Sequence, residues 1–156
     1  MAEVLIVDDD PDIRAILAFT MEDAGYTVRE AGDGAEALAA MEQRAPDCLV
    51  LDLMMPRVDG FGVLRGKRQL GLAPDARVII LTCKTAERDF VQGWELGADE
   101  YLTKPFDPDE LIDKVRELLR SSRAELQERR EHEIQKAELL ERLESAFTRP
   151  RLAGRQ

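Results

Sequence analysis

Apolar residues follow two alternating patterns over the first 120 positions. Short runs rich in branched side chains occur at residues 4–7, 27–30, 48–51, 78–81 and 101–102. Runs this short and this continuously apolar predict strands of a parallel sheet covered on both faces. Between them the apolar positions take helical spacing, as in Ile13, Ile16, Leu17, Met21 and Ala24, or in Leu111, Val115, Leu118 and Leu119. Asp10, Pro11 and Asp12 supply a cap, a first-turn proline and an acidic first turn for the first helix, and Gly25 can stop it. Five strands alternating with five helices predict an α/β three-layer sandwich with right-handed crossovers. In such sheets the chemistry gathers beyond the carboxyl ends of the strands.

The pattern changes at residue 121. No proline or glycine follows until Pro150, so the tail is predicted to continue the last helix over 121–147, with 148–156 disordered. Leu119, Leu126, Leu140 and Phe147 recur at multiples of seven and Leu143 adds a second apolar position, which is coiled-coil spacing. Glu133 interrupts that seam, and its companion positions Ser122, Arg129 and Lys136 are polar. The other reading is a solvated helix held by pairs such as Glu125 with Arg129 and Glu138 with Arg142. Both readings stay open.

Composition narrows the class. The 156 residues are 44% hydrophobic, enough for a real core and too many for a disordered acidic chain. No apolar run approaches the roughly 20 residues that span a bilayer, and the N-terminus lacks a basic segment followed by a long apolar stretch, so the chain reads as cytoplasmic. Cys48 and Cys83 lie in apolar runs and are expected to be reduced core thiols. The net charge of −10 disfavours nucleic acid, whose binding relies on Lys and Arg displacing counterions. That charge is unevenly placed: residues 1–120 carry −11 (14 basic, 25 acidic) and residues 121–156 carry +1 (8 basic, 7 acidic).

Candidate chemistry lies at the strand ends. The first strand ends in Asp8, Asp9 and Asp10, the third in Asp52, the fourth in Thr82 and the fifth in Lys104. Gathered carboxylates repel one another, and burying them without a counterion costs several kcal/mol each. A hard divalent cation, Lys104, or both must therefore sit among them. Each residue taken alone has an ordinary reading: Asp10 caps the first helix, Asp52 ends a strand before a turn, Thr82 packs, and Lys104 lies on the surface. Their coincidence at one edge of the sheet favours a site.

Together VLIVDDD (4–10), LDLMMPRVDG (51–60), ILTCK (80–84) and GADEYLTKPF (97–106) resemble, in order and spacing, the receiver domain of two-component response regulators, in its single-domain, chemotaxis-regulator-like form. The likeness runs from about residue 4 to 119. It implies a flavodoxin-like doubly wound sheet of strand order 2-1-3-4-5 with five helices, the last one extended. It implies Asp52 as phosphoacceptor and Mg²⁺ held by Asp9, Asp52 and the backbone carbonyl of Met54, with Asp8 acting through a water. Lys104 would pair first with Asp52 and then with a phosphoryl oxygen, which Thr82 would also bind. Phosphorylation would turn Tyr101 inward and alter the face of the fourth helix, fifth strand and fifth helix. There the family pattern puts Phe90 and Trp94, which helical spacing alone would assign to the core and which are expected instead to form an exposed or half-exposed patch. Cys83 stands where the family has a smaller residue and is read as packed. Met54 and Lys84 occupy positions that tune phosphoryl loss, and apolar Met54 implies a long-lived phosphoryl state. His132, the single histidine, is read as a solvated helix residue.

The partners implied are a sensor histidine kinase or phosphotransfer protein and a downstream protein. Neither DNA nor membrane is expected as a partner of this chain. A homodimer is considered through the fourth-helix face or through the tail. No enzymatic activity is expected beyond autocatalytic phosphoryl transfer and autodephosphorylation. A Mg²⁺-dependent phosphohydrolase with Asp52 as nucleophile is the enzyme alternative, but it needs an acid two residues on, where Met54 stands. A receiver fragment of a longer regulator is the remaining alternative.

Overall fold

The computed structural model describes residues 2–83 and 87–148. Five parallel strands, β1 (Glu3–Val7), β2 (Thr27–Ala31), β3 (Cys48–Asp52), β4 (Arg77–Thr82) and β5 (Glu100–Thr103), lie in the order β2-β1-β3-β4-β5. They alternate with α1 (Pro11–Asp23), α2 (Gly34–Gln43), α3 (Gly60–Gln69), α4 (Glu87–Glu95) and α5 (Pro108–Arg120), and α6 (Arg123–Thr148) follows. Most strands extend a residue beyond their apolar runs, taking in Asp52 and Thr82, because backbone pairing continues where the hydrophobic signal stops.

Alternation along the strands builds a core on each side of the sheet. Leu5 and Val7 join Leu49, Leu51, Ile80, Met41 and Leu64 under α2 and α3. Val4 and Ile6 join Val50, Ile79, Leu81, Met21, Leu111 and Val115 under α1 and α5. Each such side chain, fully buried, contributes about 1.5–3 kcal/mol of transfer free energy. Ile16, one of the apolar positions of the first helix, is 60% exposed; the buried face is made by Leu17, Ala18 and Met21. Cys48 is buried but Cys83 is exposed, so only one thiol belongs to the core. Cys83 is the residue after β4, beyond the last rung of the sheet.

The tail does not prolong α5, and the helices number six among the described residues. Ser121 leaves the helix with extended backbone (φ −78, ψ 143). The chain restarts on a capping box: the Glu125 amide donates to Ser122 Oγ (3.0 Å) and the Ser122 amide donates to the Glu125 carboxylate (2.8 Å). The new helix packs against α4. Leu126 is buried with the α5 core, while Arg129 donates to Glu100 (2.9 Å) and Glu117 (3.3 Å), not to Glu125. Among the described residues Glu138 and Arg142 are both exposed and form no ion pair with each other. Leu139, Leu140, Leu143 and Phe147 are 40–85% exposed, so this chain closes no apolar seam there. Thr148 is the last residue of α6 and is ordered as helix; 149–156 lie outside the described residues. No described helix is long and apolar enough to cross a membrane.

Candidate functional site

The local structure at each strand end fixes the side chains there. Asp10 is the cap of α1, accepting from the amides of Asp12 (2.9 Å) and Ile13 (3.3 Å). The preceding turn is held by the Asp10 amide donating to Asp8 Oδ1 (2.9 Å) and by Arg14 donating to the Asp8 carbonyl (2.8 Å). At the end of β3, a Cβ on Gly60 would lie 2.8 Å from the Asp52 carbonyl oxygen and from Leu53 Cα. Glycine is thus what lets α3 begin against the strand that carries Asp52. The Lys104 amide donates to the Thr82 carbonyl (2.8 Å), tying the ends of β4 and β5 together.

This edge collects the expected charges. Asp8, Asp9 and Asp52 each bring a carboxylate oxygen within 4.8 Å of the others. Lys104 Nζ lies 3.4 Å from Asp52 Oδ1 and 3.6 Å from Asp8 Oδ2. Asp8 and Asp52 are 1% and 4% exposed, whereas Asp9 is exposed. Burial pushes the Asp52 carboxyl up to about 6; Lys104 opposes the shift, Asp8 adds to it, and the Met54 amide (3.3 Å) opposes it. Burial also works against the Lys104 charge, but Asp52 and Asp8 outweigh it and hold the ammonium above its ordinary range. Asp8 Oδ2 is buried with no hydrogen-bond donor. An orphaned carboxylate oxygen beside two further carboxylates, with one lysine for three acids, is a donor set that suits a hard divalent cation.

Thr82 is buried at the end of β4, and Met54 is 55% exposed beside Asp52. Lys84 lies outside the described residues. The expected partner residues form a second cluster on α4 and β5. The Tyr101 ring meets Phe90 edge-on at 4.5 Å and Trp94 at 5.4 Å, and its hydroxyl donates to the Phe90 carbonyl (3.1 Å). Phe90 is half-buried, but Trp94 is only 6% exposed, which corrects its expected exposure: its ring packs against Tyr101 of β5. His132 is solvated as read from the sequence, its side chain 72% exposed. The sequence pattern singled out neither Asp99 nor Arg130, and it gave Arg129 only as a polar position of the tail and a partner of Glu125. Asp99 is 4% exposed, accepts from the Val78 amide (2.9 Å) and pairs with Arg130. The signal within reach was the Ser122-x-x-Glu125 capping box, which announces a new helix at 123.

A cavity of about 600 Å³ opens at the opposite edge of the sheet, lined by Lys67, Arg68, Arg77, Asp99 and Arg130 among others. Its guanidinium groups are already engaged: Arg68 by the Glu95 carbonyl, Arg77 by those of Leu118 and Ser121, Arg130 by that of Ala98, and Arg123 by the Asp75 carboxylate. It is a structural joint around the start of α6.

A doubly wound parallel sheet with acids just after β1 and at the end of β3 and a lysine after β5 defines a class of protein that works at the carboxyl edge of its strands. The response regulator receiver domain matches residues 4–116, and the chain belongs to that family. It is 45% identical over 120 residues to the DNA-binding dual master transcriptional regulator RpaA of Synechocystis, covering 77% of this chain and 50% of RpaA. Among solved structures it superposes on the chemotaxis protein CheY4 of Vibrio cholerae (TM-score 0.72, 35% identity, 76% of this chain and 98% of that one). It also superposes on the response regulator TrrA of Thermotoga maritima in complex with Mg²⁺-BeF (TM-score 0.67, 36% identity, 76% and 99%). The chain spans about half the length of the curated relatives it matches.

Proposed function

We propose that the chain is a phosphorylation-activated switch of a two-component system, with Asp52 as phosphoacceptor. The observation that carries this reading is the meeting of Asp8, Asp9 and Asp52 within 4.8 Å, with Lys104 3.4 Å from Asp52. The donor is a phosphohistidine on a sensor kinase or phosphotransfer protein, or a small acyl phosphate. An Asp52 carboxylate oxygen attacks phosphorus, the bond from phosphorus to the donor nitrogen or oxygen breaks, and its electron pair leaves with the donor. The new bond is an acyl phosphate on Asp52.

Mg²⁺ would be held by Asp9, Asp52 and the Met54 carbonyl, with Asp8 acting through a water; when bound it neutralises charge on the transferring group. Lys104, within reach of both buried acids, orients Asp52 and then pairs with a phosphoryl oxygen. Thr82, at the adjacent strand end, donates to the same group. Met54 offers no polar group to position an attacking water, so the phosphoryl group is long-lived. Its arrival adds about −1.5 to −2 charge, and the signal leaves through the face of α4, β5 and α5. The phosphohydrolase reading is not favoured, because Met54 supplies no general acid two residues after Asp52. A cytoplasmic location goes with a kinase as donor.

Incubation with acetyl phosphate and Mg²⁺ should add one phosphoryl group by intact mass. Asp52→Asn should lose the increment completely; if it kept it, another residue would be the acceptor.

A further inference from the structure

We infer that the cavity between α3, the start of β4 and the start of α6 is a binding site for a small organic phosphate. Lys67 and Arg68 hold its phosphate, and Leu64, Leu72 and Leu96 hold its apolar body. The site lies at the edge of the sheet opposite Asp52 and stands apart from the proposed phosphoryl transfer. Its volume, about 600 Å³, is that of a small-molecule site.

The charge balance of the cavity points to an anion. Two acids line it, and each already has a cation: Asp75 pairs with Arg123 and Asp99 with Arg130. The other three cations of the lining, Lys67, Arg68 and Arg77, face no carboxylate among the described residues, in a chain whose net charge is −10. Arg77 spends its donors on the carbonyls of Asp75, Leu118 and Ser121, and Arg68 gives one nitrogen to the Glu95 carbonyl (2.8 Å). Carbonyls satisfy the donors and leave the charge uncancelled. Lys67 makes no hydrogen bond or ion pair among the described residues. Burial works first against its charge, Asp99 opposes that, and Arg130, Arg68 and Arg123 add to it, so its ammonium is held below its ordinary range. A half-buried cation without a partner costs free energy that a bound anion removes.

The rest of the lining sets the class of anion. A phosphate monoester carries about −1.5 to −2 charge and three acceptor oxygens, which suits a surplus of three cations better than a single carboxylate does. Leu64 is buried under the cavity, and Leu72 and Leu96 are partly buried beside it, so an apolar body gains contact there. A long polyanion is disfavoured, because the acidic surface of the chain repels whatever extends beyond the cavity. Since Arg123, Leu126 and Arg130 of α6 form one wall, a ligand in the cavity touches both the body of the fold and the added helix.

The test titrates the full chain with 1-naphthyl phosphate by calorimetry, in buffer free of Mg²⁺ so that Asp8, Asp9 and Asp52 repel the probe. One equivalent should bind, more tightly than inorganic phosphate by about tenfold or more, and should slow amide exchange over 64–72 and 123–130. Lys67→Gln with Arg68→Gln should weaken binding roughly ten- to hundredfold, the loss expected for hydrogen bonds to a charged group. Lys136→Gln with Arg142→Gln removes the same charge from exposed positions of α6 and should bind as the wild type does. If the first pair does not fold, Lys67→Gln alone should weaken binding by about tenfold. Absence of saturable binding, protection that maps away from the cavity, or equal loss in both pairs of variants would overturn the site. Equal affinity for inorganic phosphate would overturn the apolar half of the ligand.

Discussion

The two edges of the sheet handle buried charge in opposite ways. At the carboxyl edge three acids face one lysine, Asp8 keeps an orphaned oxygen, and the Asp52 carboxyl is pushed up to about 6, chiefly by burial. At the amino edge Glu3 is paired with both Arg29 and Arg44, and its carboxyl is held below the usual range, first by the Arg44 hydrogen bond. Asp99, equally buried, has the Val78 amide and Arg130. Charge is left uncompensated at the edge that carries the candidate site, and it is compensated by arginine at the opposite edge. The same residue type thus serves two ends according to what surrounds it.

The contrast can be broken from the carboxyl edge first. The folded chain binds a proton on Asp52 more tightly than the unfolded chain does (about 6 against an ordinary 3.8), so this group favours folding at low pH. That contribution is lost as pH rises through the interval from about 4 to about 6. In metal-free protein at pH 7, Asp52→Asn should therefore raise the unfolding free energy, by up to about 3 kcal/mol, with Asp8 still there to pair Lys104. In urea titrations the gain should vanish below about pH 4; a loss of stability at pH 7 would mean that Lys104 already compensates the acid. Mg²⁺ should narrow the gap, because it binds the folded wild type.

At the amino edge the sign reverses. Arg130→Ala strips Asp99 of its cation and should cost about 2 kcal/mol by urea denaturation. Ser122→Ala removes the cap of α6 and should cost about 1 kcal/mol, read as faster amide exchange in its first turn. The smallest effect belongs to Arg123→Ala. The Arg123–Asp75 pair is close at 2.6 Å, but both side chains are about 70% exposed, and its loss should stay within about 0.5 kcal/mol. A large effect there would show that the start of α6 is docked far more tightly than its exposure implies.

The candidate site was legible because each of its parts is local. An apolar run followed by an acid, or by a lysine before a proline, places that side chain at a strand end whatever the rest of the chain does, and the α/β order brings the ends together. Asp8, Asp9, Asp52, Thr82 and Lys104 all lie where their short runs put them. Cys83 was misread because an apolar pattern does not mark the rung at which pairing stops. Trp94 was misplaced because its exposure was taken from the resemblance, whereas its helical spacing with Phe90 pointed to the core, where it lies.

By itself, then, the sequence determined the alternation of strands and helices, the sheet they build and the acids at its carboxyl edge, since periodicity and turn chemistry act over a few residues. The break between α5 and α6 was also written locally, in Ser122 and Glu125. Only the tertiary structure decided where α6 goes. Its apolar stripe is too weak to dictate a destination, and its anchors, Arg129 and Arg130, find Asp99 and Glu100 about thirty residues back along the chain. Contacts at that separation depend on how the whole sheet is folded, so no pattern within the helix could announce them.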